Sequence, residues 1–128
     1  MSRIIPLAWL AIFVVIVIAP GASTEAWAHA FPTKERPLVG STINKPPSTV
    51  TIWYDAPIQP LFAKLDVLDS AGHQEDTGAP TVEDHQRALS VKLKPLKPGN
   101  FTVKWGVVAE DGHRTEGSYE FTVAGFDP

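Results

Sequence analysis

The chain has 128 residues, the size of one domain, and its 44% hydrophobic and 20% charged side chains are enough for a core and argue against disorder. Eleven Lys and Arg against fourteen Asp and Glu leave a net charge of -3, so no basic field exists to hold nucleic acid or anionic lipid. Cysteine is absent and the single methionine is Met1, which excludes disulfide frameworks, thiolate zinc and iron–sulfur sites, cysteine nucleophiles, blue-copper centres and thioether metal sites.

The first element is a targeting segment. Arg3 precedes an apolar run over residues 4–19, broken once by Pro6; Pro20 and Gly21 then end any helix, and small residues follow. A basic start, an apolar middle and a small-residue end predict a secretory signal peptide. The run is shorter than the roughly 20 residues a spanning helix prefers, and an uncleaved anchor is the alternative. Ala26-Trp27-Ala28 fits the small-x-small cleavage rule, and a cut after Ala28 leaves His29 first. Ala28-His29-Ala30 also fits and leaves Phe31, and Ala22 and Ala26 are further candidates. The cut after Ala28 gives a signal peptide over 1–28 and a mature domain over 29–128, 100 residues long. Arg3 and Glu25 leave together, so the charge stays at -3.

The mature chain reads as short strands. A weak one is expected over 38–43. Over 49–54, Val50, Ile52 and Tyr54 share one face, with Thr49, Thr51 and Trp53 on the other. Segment 62–68 places Ala63, Leu65 and Val67 together, and residues 69–86 are polar, with Gly72, Gly78 and Pro80, and read as a long loop. Over 88–94, Leu89, Val91 and Leu93 point in while Ser90, Lys92 and Lys94 point out. Phe101, Val103, Trp105 and Val107 line one face of 100–108, and Tyr119, Phe121 and Val123 one face of 118–123. No segment has ten residues of helical periodicity. Prolines 46, 47, 57, 60, 95 and 98 fall between the strands. Six or seven short strands in such a chain predict an all-β, two-sheet sandwich, with a closed barrel as the alternative. Trp53, Trp105, Phe101, Phe121 and Tyr119 are the bulky filling expected of a core without disulfides.

Four histidines carry the candidate chemistry. His73, in Ser70-Ala71-Gly72-His73-Gln74, and His85, after Glu83-Asp84, read as solvated loop residues without partners at ligand spacing. Asp111-Gly112-His113 follows the longest expected strand, and two residues apart on an extended segment the Asp and His side chains project to one side. That pair fits a catalytic dyad, a metal-ligand pair or a plain hairpin turn. A hydrolase would also need a nucleophile, and no Gly-x-Ser-x-Gly elbow is present. His29 shifts the balance. Exposed by cleavage, its α-amine, with an ordinary pKa of about 7.7–8, and its ring nitrogen chelate one ion as a bidentate unit. The His113 ring adds a third nitrogen and Asp111 an oxygen. Three nitrogens and a carboxylate suit Cu(II) above other divalent ions, Zn(II) preferring a tetrahedral site, and a mature chain without Met or Cys offers nothing soft for Cu(I).

Two stretches carry a family resemblance. One is His29-Ala30, Ser41-Thr42, Pro46-Pro47, the run Thr49-Val50-Thr51-Ile52-Trp53-Tyr54, and Asp55-Ala56-Pro57-Ile58. The other runs from Pro95-Leu96-Lys97-Pro98-Gly99-Asn100-Phe101-Thr102-Val103-Lys104-Trp105 through Asp111-Gly112-His113 to Gly117 and Phe121-Thr122-Val123. Together they span essentially the whole mature chain, which resembles the CopC family of periplasmic copper-binding proteins. The resemblance implies a Greek-key, cupredoxin- or immunoglobulin-like sandwich of about seven strands. It also implies a Cu(II) site formed by the amine and ring of His29 with Asp111 and His113.

The sequence departs from the family in lacking the Met-rich segment of members that also bind Cu(I), so a two-site copper relay is not expected. It also lacks the fused membrane domain of other members, so a membrane copper transporter is expected as a separate protein. Arg114 is an unusual neighbour for the histidine and is expected to alter access or charge at the metal.

The reading that results is a monomeric periplasmic Cu(II) buffer or delivery protein without turnover. Lytic polysaccharide monooxygenases, oxidative copper enzymes that also use a terminal-histidine brace on a β-sandwich, offer a second reading, opposed by the short chain and by the Asp111 ligand. A metal-free adhesion or assembly sandwich is the third.

Overall fold

The structure, a computed structural model, describes residues 29–125 together with residue 16. The segment expected to be a signal peptide therefore lies outside the described residues. No helix among the described residues is long and apolar enough to cross a membrane.

Eight strands follow in order: β1 (Pro32–Arg36), β2 (Thr42–Ile43), β3 (Thr49–Tyr54), β4 (Lys64–Asp69), β5 (Thr81–Glu83), β6 (Ala88–Lys92), β7 (Gly99–Val108) and β8 (Arg114–Val123). A 3-10 turn, Pro60–Phe62, precedes β4. The strands form two four-stranded sheets, in the orders β1-β3-β6-β5 and β2-β8-β7-β4. The chain crosses from one sheet to the other after β1, β2, β3, β4 and β6, as expected of a Greek-key sandwich. All pairings between named strands are antiparallel except that of β2 with β8.

Alternation decides which residues are inside. Val50, Ile52 and Tyr54 of β3, Leu65 and Val67 of β4, Leu89 and Val91 of β6, and Phe101, Val103 and Val107 of β7 are buried and meet Tyr119, Phe121 and Val123 of β8 in one core. Burying each large apolar side chain stabilises the fold by roughly 1.5–3 kcal/mol. Phe101 and Phe121 stack across the β7–β8 pair with centroids 5.4 Å apart. Trp105 packs edge-on against Tyr54 at 5.6 Å. Its ring lies so close over Gly117 that a Cβ there would sit 2.7 Å from it, so this position requires glycine.

The differences from the sequence reading have physical causes. Trp53 lies on the outer face of its sheet, beneath the Lys34 ammonium 4.9 Å from its ring centroid, and does not fill the core. β1 was not anticipated because Lys34, Glu35 and Arg36 give it no apolar period; it is an edge strand, held by β3 alone. β2 is shorter than the expected 38–43 because Leu38 and Val39 are exposed and Gly40 turns at φ +69°. The stretch read as a loop contains β5, three residues on the edge beside β6, and the buried Asp76. The Asp76 carboxylate accepts hydrogen bonds from Val67 N, Gln74 Nε2 and Gly78 N, which accounts for its burial.

β7 and β8 pair along ten residues, from Gly99 opposite Val123 to Val108 opposite Arg114. This long hairpin carries residues 109–113 at one end of the sandwich, where the candidate site lies.

Candidate metal centre

The hairpin tip is built by its own hydrogen bonds. Ala109 N donates to His113 O at 2.9 Å and Gly112 N to Ala109 O at 3.0 Å. Gly112 turns at φ +87°, a conformation that favours glycine. Asp111 Oδ1 accepts the His113 backbone N–H at 3.0 Å, and Oδ2 lies 3.0 Å from His113 Nδ1. The carboxylate thus closes the turn and orients the imidazole. The His113 backbone N–H, foremost, holds the Asp111 carboxyl below its usual range; desolvation opposes it, and the His113 ring and the His29 charge add smaller lowering contributions. At neutral pH it is an anionic acceptor beside two imidazoles.

His29 reaches the same place from the other end of the sequence. It precedes β1 and belongs to no strand. The next residues fix it: Ala30 is fully buried, and its carbonyl accepts a 2.7 Å hydrogen bond from Thr115 Oγ1. Phe31 N donates to Asp55 Oδ1 at 2.8 Å, and Asp55 N donates to Phe31 O at 3.0 Å. The half-buried His29 ring stacks between Phe31, with centroids 5.9 Å apart, and His113, at 4.7 Å.

His29, Asp111 and His113 each present a ligand atom, and these atoms lie within 4.8 Å of one another. Ligands bound about 2.0–2.2 Å from one first-row ion lie at most roughly 4 Å apart, so a small adjustment lets all three meet a metal. Among the described residues this is the one group of three or more such side chains gathered this closely. The structure therefore brings together the three side chains named from the sequence as candidate ligands.

The remaining candidates lie elsewhere. His73 is exposed but, contrary to expectation, has a partner: its Nδ1 is 3.3 Å from Asp69 Oδ2. His85 is exposed between β5 and β6, where Asp84, His85 and Gln86 all have positive φ, between 52° and 64°. Arg114, expected to affect the metal, turns outward, with its guanidinium over Gly106 and Nε 3.5 Å from Glu116 Oε2. The sequence reading gives neither Thr115 nor Asp55 a role at the site; the one legible sign is the Thr115 hydroxyl on the inward-facing row of β8, two residues after His113.

The fold and the cluster define a β-sandwich with two imidazoles and a carboxylate converging at one end, a nitrogen-rich donor set for a first-row transition metal. The chain belongs to the CopC family: the CopC domain profile matches residues 33–124. That match contains Asp111 and His113 but not His29, whose place rests on the geometry. The chain is 32% identical over 116 residues to Protein YobA of Escherichia coli K12, covering 89% of this chain and 90% of that one. It is 26% identical over 121 residues to Copper resistance protein C of Xanthomonas campestris pv. juglandis, covering 89% of this chain and 94% of that one. The crystal structure of CopC from Methylosinus trichosporium OB3b superposes with a TM-score of 0.73 at 28% identity, over 78% of this chain and 98% of that one.

Proposed function

We propose that this protein is a periplasmic Cu(II)-binding protein that buffers or delivers copper and performs no turnover. The α-amine and ring of His29, the His113 ring and the Asp111 carboxylate hold the ion. The observation that carries the reading is the convergence of His29 with Asp111 and His113 within 4.8 Å, across more than eighty residues of sequence. Nitrogen and carboxylate donors in a chain without Cys favour the oxidised ion, and reduction to Cu(I) weakens the hold. Membership of a family that includes a protein named for copper resistance supports copper as the cargo.

The reading requires residues 1–28 to be removed on export, because only then does His29 carry a free amine. That amine loses its proton more readily than a lysine does and so becomes a ligand near neutral pH. The partner that receives or supplies copper is a membrane transporter, and the protein acts as a monomer.

The test is a Cu(II) titration of protein beginning at His29, followed by d–d absorption and electron paramagnetic resonance. One equivalent binds with a nitrogen-rich signature. Acetylating the amine, or leaving a residue in front of His29, removes that signature; an unchanged spectrum after either treatment would overturn the reading. Mass spectrometry of the exported protein checks the terminus.

A further inference from the structure

A first residue outside any strand ordinarily frays, yet here it must meet two ligands on a hairpin that closes far away in sequence. Beside the stacking of the His29 and His113 rings, the two parts are joined by the 2.7 Å hydrogen bond from Thr115 Oγ1 to Ala30 O, spanning 85 positions. Thr115 is part-buried on β8, opposite Val107 and two residues beyond His113. One strand therefore carries both an imidazole of the cluster and the hydroxyl that grips the residue after His29. Ala30 has no solvent-exposed surface, so its carbonyl has little access to water if that hydroxyl is lost. On the other side, Asp55 receives the Phe31 N–H and returns its own N–H to Phe31 O, which stops the segment from rotating about the first grip.

We propose that Thr115 is the positioning residue of the metal centre, and that its hydroxyl keeps the amine and ring of His29 over His113. It touches no metal. It acts by removing, before the ion arrives, the freedom that the terminal residue would otherwise lose on binding. This inference rests on the brace reading above.

The experiment uses protein beginning at His29 and measures Cu(II) affinity by competition with a chromophoric chelator. Thr115→Val keeps the β-branched shape and removes the donor; affinity falls roughly three- to tenfold, the range a lost hydrogen bond of this kind produces. Release quickens, while the resonance spectrum at saturation stays that of the parent, because the ligands are intact. Thr115→Ser restores affinity to near the parent value. Thr51→Val, which removes the comparable Thr51–Ser90 hydroxyl contact of 2.9 Å on the other sheet, leaves affinity unchanged.

Acetylation of His29 supplies the decisive arm. With the amine blocked, the loss caused by Thr115→Val shrinks well below the loss seen with the free amine, since only the His29 ring remains to be positioned and the two-point chelate is gone. Should Thr115→Val fail to fold, Asp55→Ala, which releases the Phe31 N–H, reads the same loss. Parent-like affinity in Thr115→Val, a loss matched by Thr51→Val, or an equal loss in the acetylated protein overturns the positioning role. An acetylated parent that binds as tightly as the free amine overturns the brace itself, and the positioning role with it.

Discussion

Asp69 with His73, beside the start of β7, and Asp111 with His113, beyond its end, are built from the same local chemistry. In each pair one carboxylate oxygen accepts the backbone N–H of the following histidine, at 2.8 Å and 3.0 Å, while the other approaches that histidine's Nδ1, at 3.3 Å and 3.0 Å. The backbone N–H is the main reason both carboxyls lie below their usual range. Space does not separate them, since Asp69 and His73 line a cavity of about 430 Å³ with Glu75 and Lys97. What separates them is a third ligand. His29 comes within reach of Asp111 and His113, whereas no third His, Asp or Glu ligand atom among the described residues converges as closely on Asp69 and His73. An Asp–His pair is thus ordinary turn chemistry, and a long-range contact turns one such pair into a candidate site.

Two substitutions break the comparison most sharply. His113→Ala removes a proposed ligand, and tight Cu(II) binding disappears, a loss beyond the roughly 100-fold that removal of an outer-sphere partner gives. His73→Ala leaves the tight site unchanged in stoichiometry and affinity. Isothermal titration of the two variants side by side checks both, and equal losses would mean that the pairs are equivalent after all. Asp111→Ala comes next. It deprives the ion of its proposed oxygen donor and frees the His113 ring, so binding weakens by at least the roughly 10–100-fold that loss of an outer-sphere partner gives, while Asp69→Ala is silent in the same titration. Phe31→Ala has a smaller effect because it removes only the ring stacked on His29, from a side chain that is 52% exposed. Affinity falls roughly two- to tenfold, and no residue at the Asp69 end has a corresponding effect.

The contrast was only half legible in the sequence. Asp111-Gly112-His113 stands out because its spacing puts two candidate ligands on one side of an extended chain, and His29 because a small-x-small cut after Ala28 would make it terminal. The rows of Val50, Ile52 and Tyr54, or of Phe101, Val103 and Val107, likewise announced their strands by period alone. Period fails where an element owes its existence to a neighbour. β1 is polar along most of its length, and β5 is three residues on an edge; both form because β3 and β6 offer unpaired backbone. The Asp69–His73 pair was missed because its residues are four apart, a spacing without meaning until the turn at Gly72, with φ +84°, folds them together. Thr115 could not be assigned at all, since nothing local ties a β8 hydroxyl to the carbonyl of Ala30.

The gentlest perturbation treats the two ends alike in stability and separates them in binding. A carboxyl whose folded-state pKa is depressed stabilises the fold at pH values above its unfolded pKa, near 3.8. That contribution is lost as pH falls below this value and through the depressed one. Asp69→Asn and Asp111→Asn each abolish one such contribution, so each variant loses stability less steeply than the parent below about pH 4 and starts from a slightly lower plateau at neutral pH. Both side chains keep about a quarter of their surface in solvent, 26% for Asp69 and 25% for Asp111, so screening by water keeps the two effects small and similar. Denaturant melts of the metal-free protein between pH 2 and pH 7 check this. With Cu(II) added at neutral pH the two variants part. The ion stabilises the parent and Asp69→Asn equally, by an amount set by its concentration relative to Kd, and it stabilises Asp111→Asn less. A copper-induced gain that is equal in both variants would show that the Asp111 carboxylate serves only its turn, as Asp69 does, and that the metal is held without it.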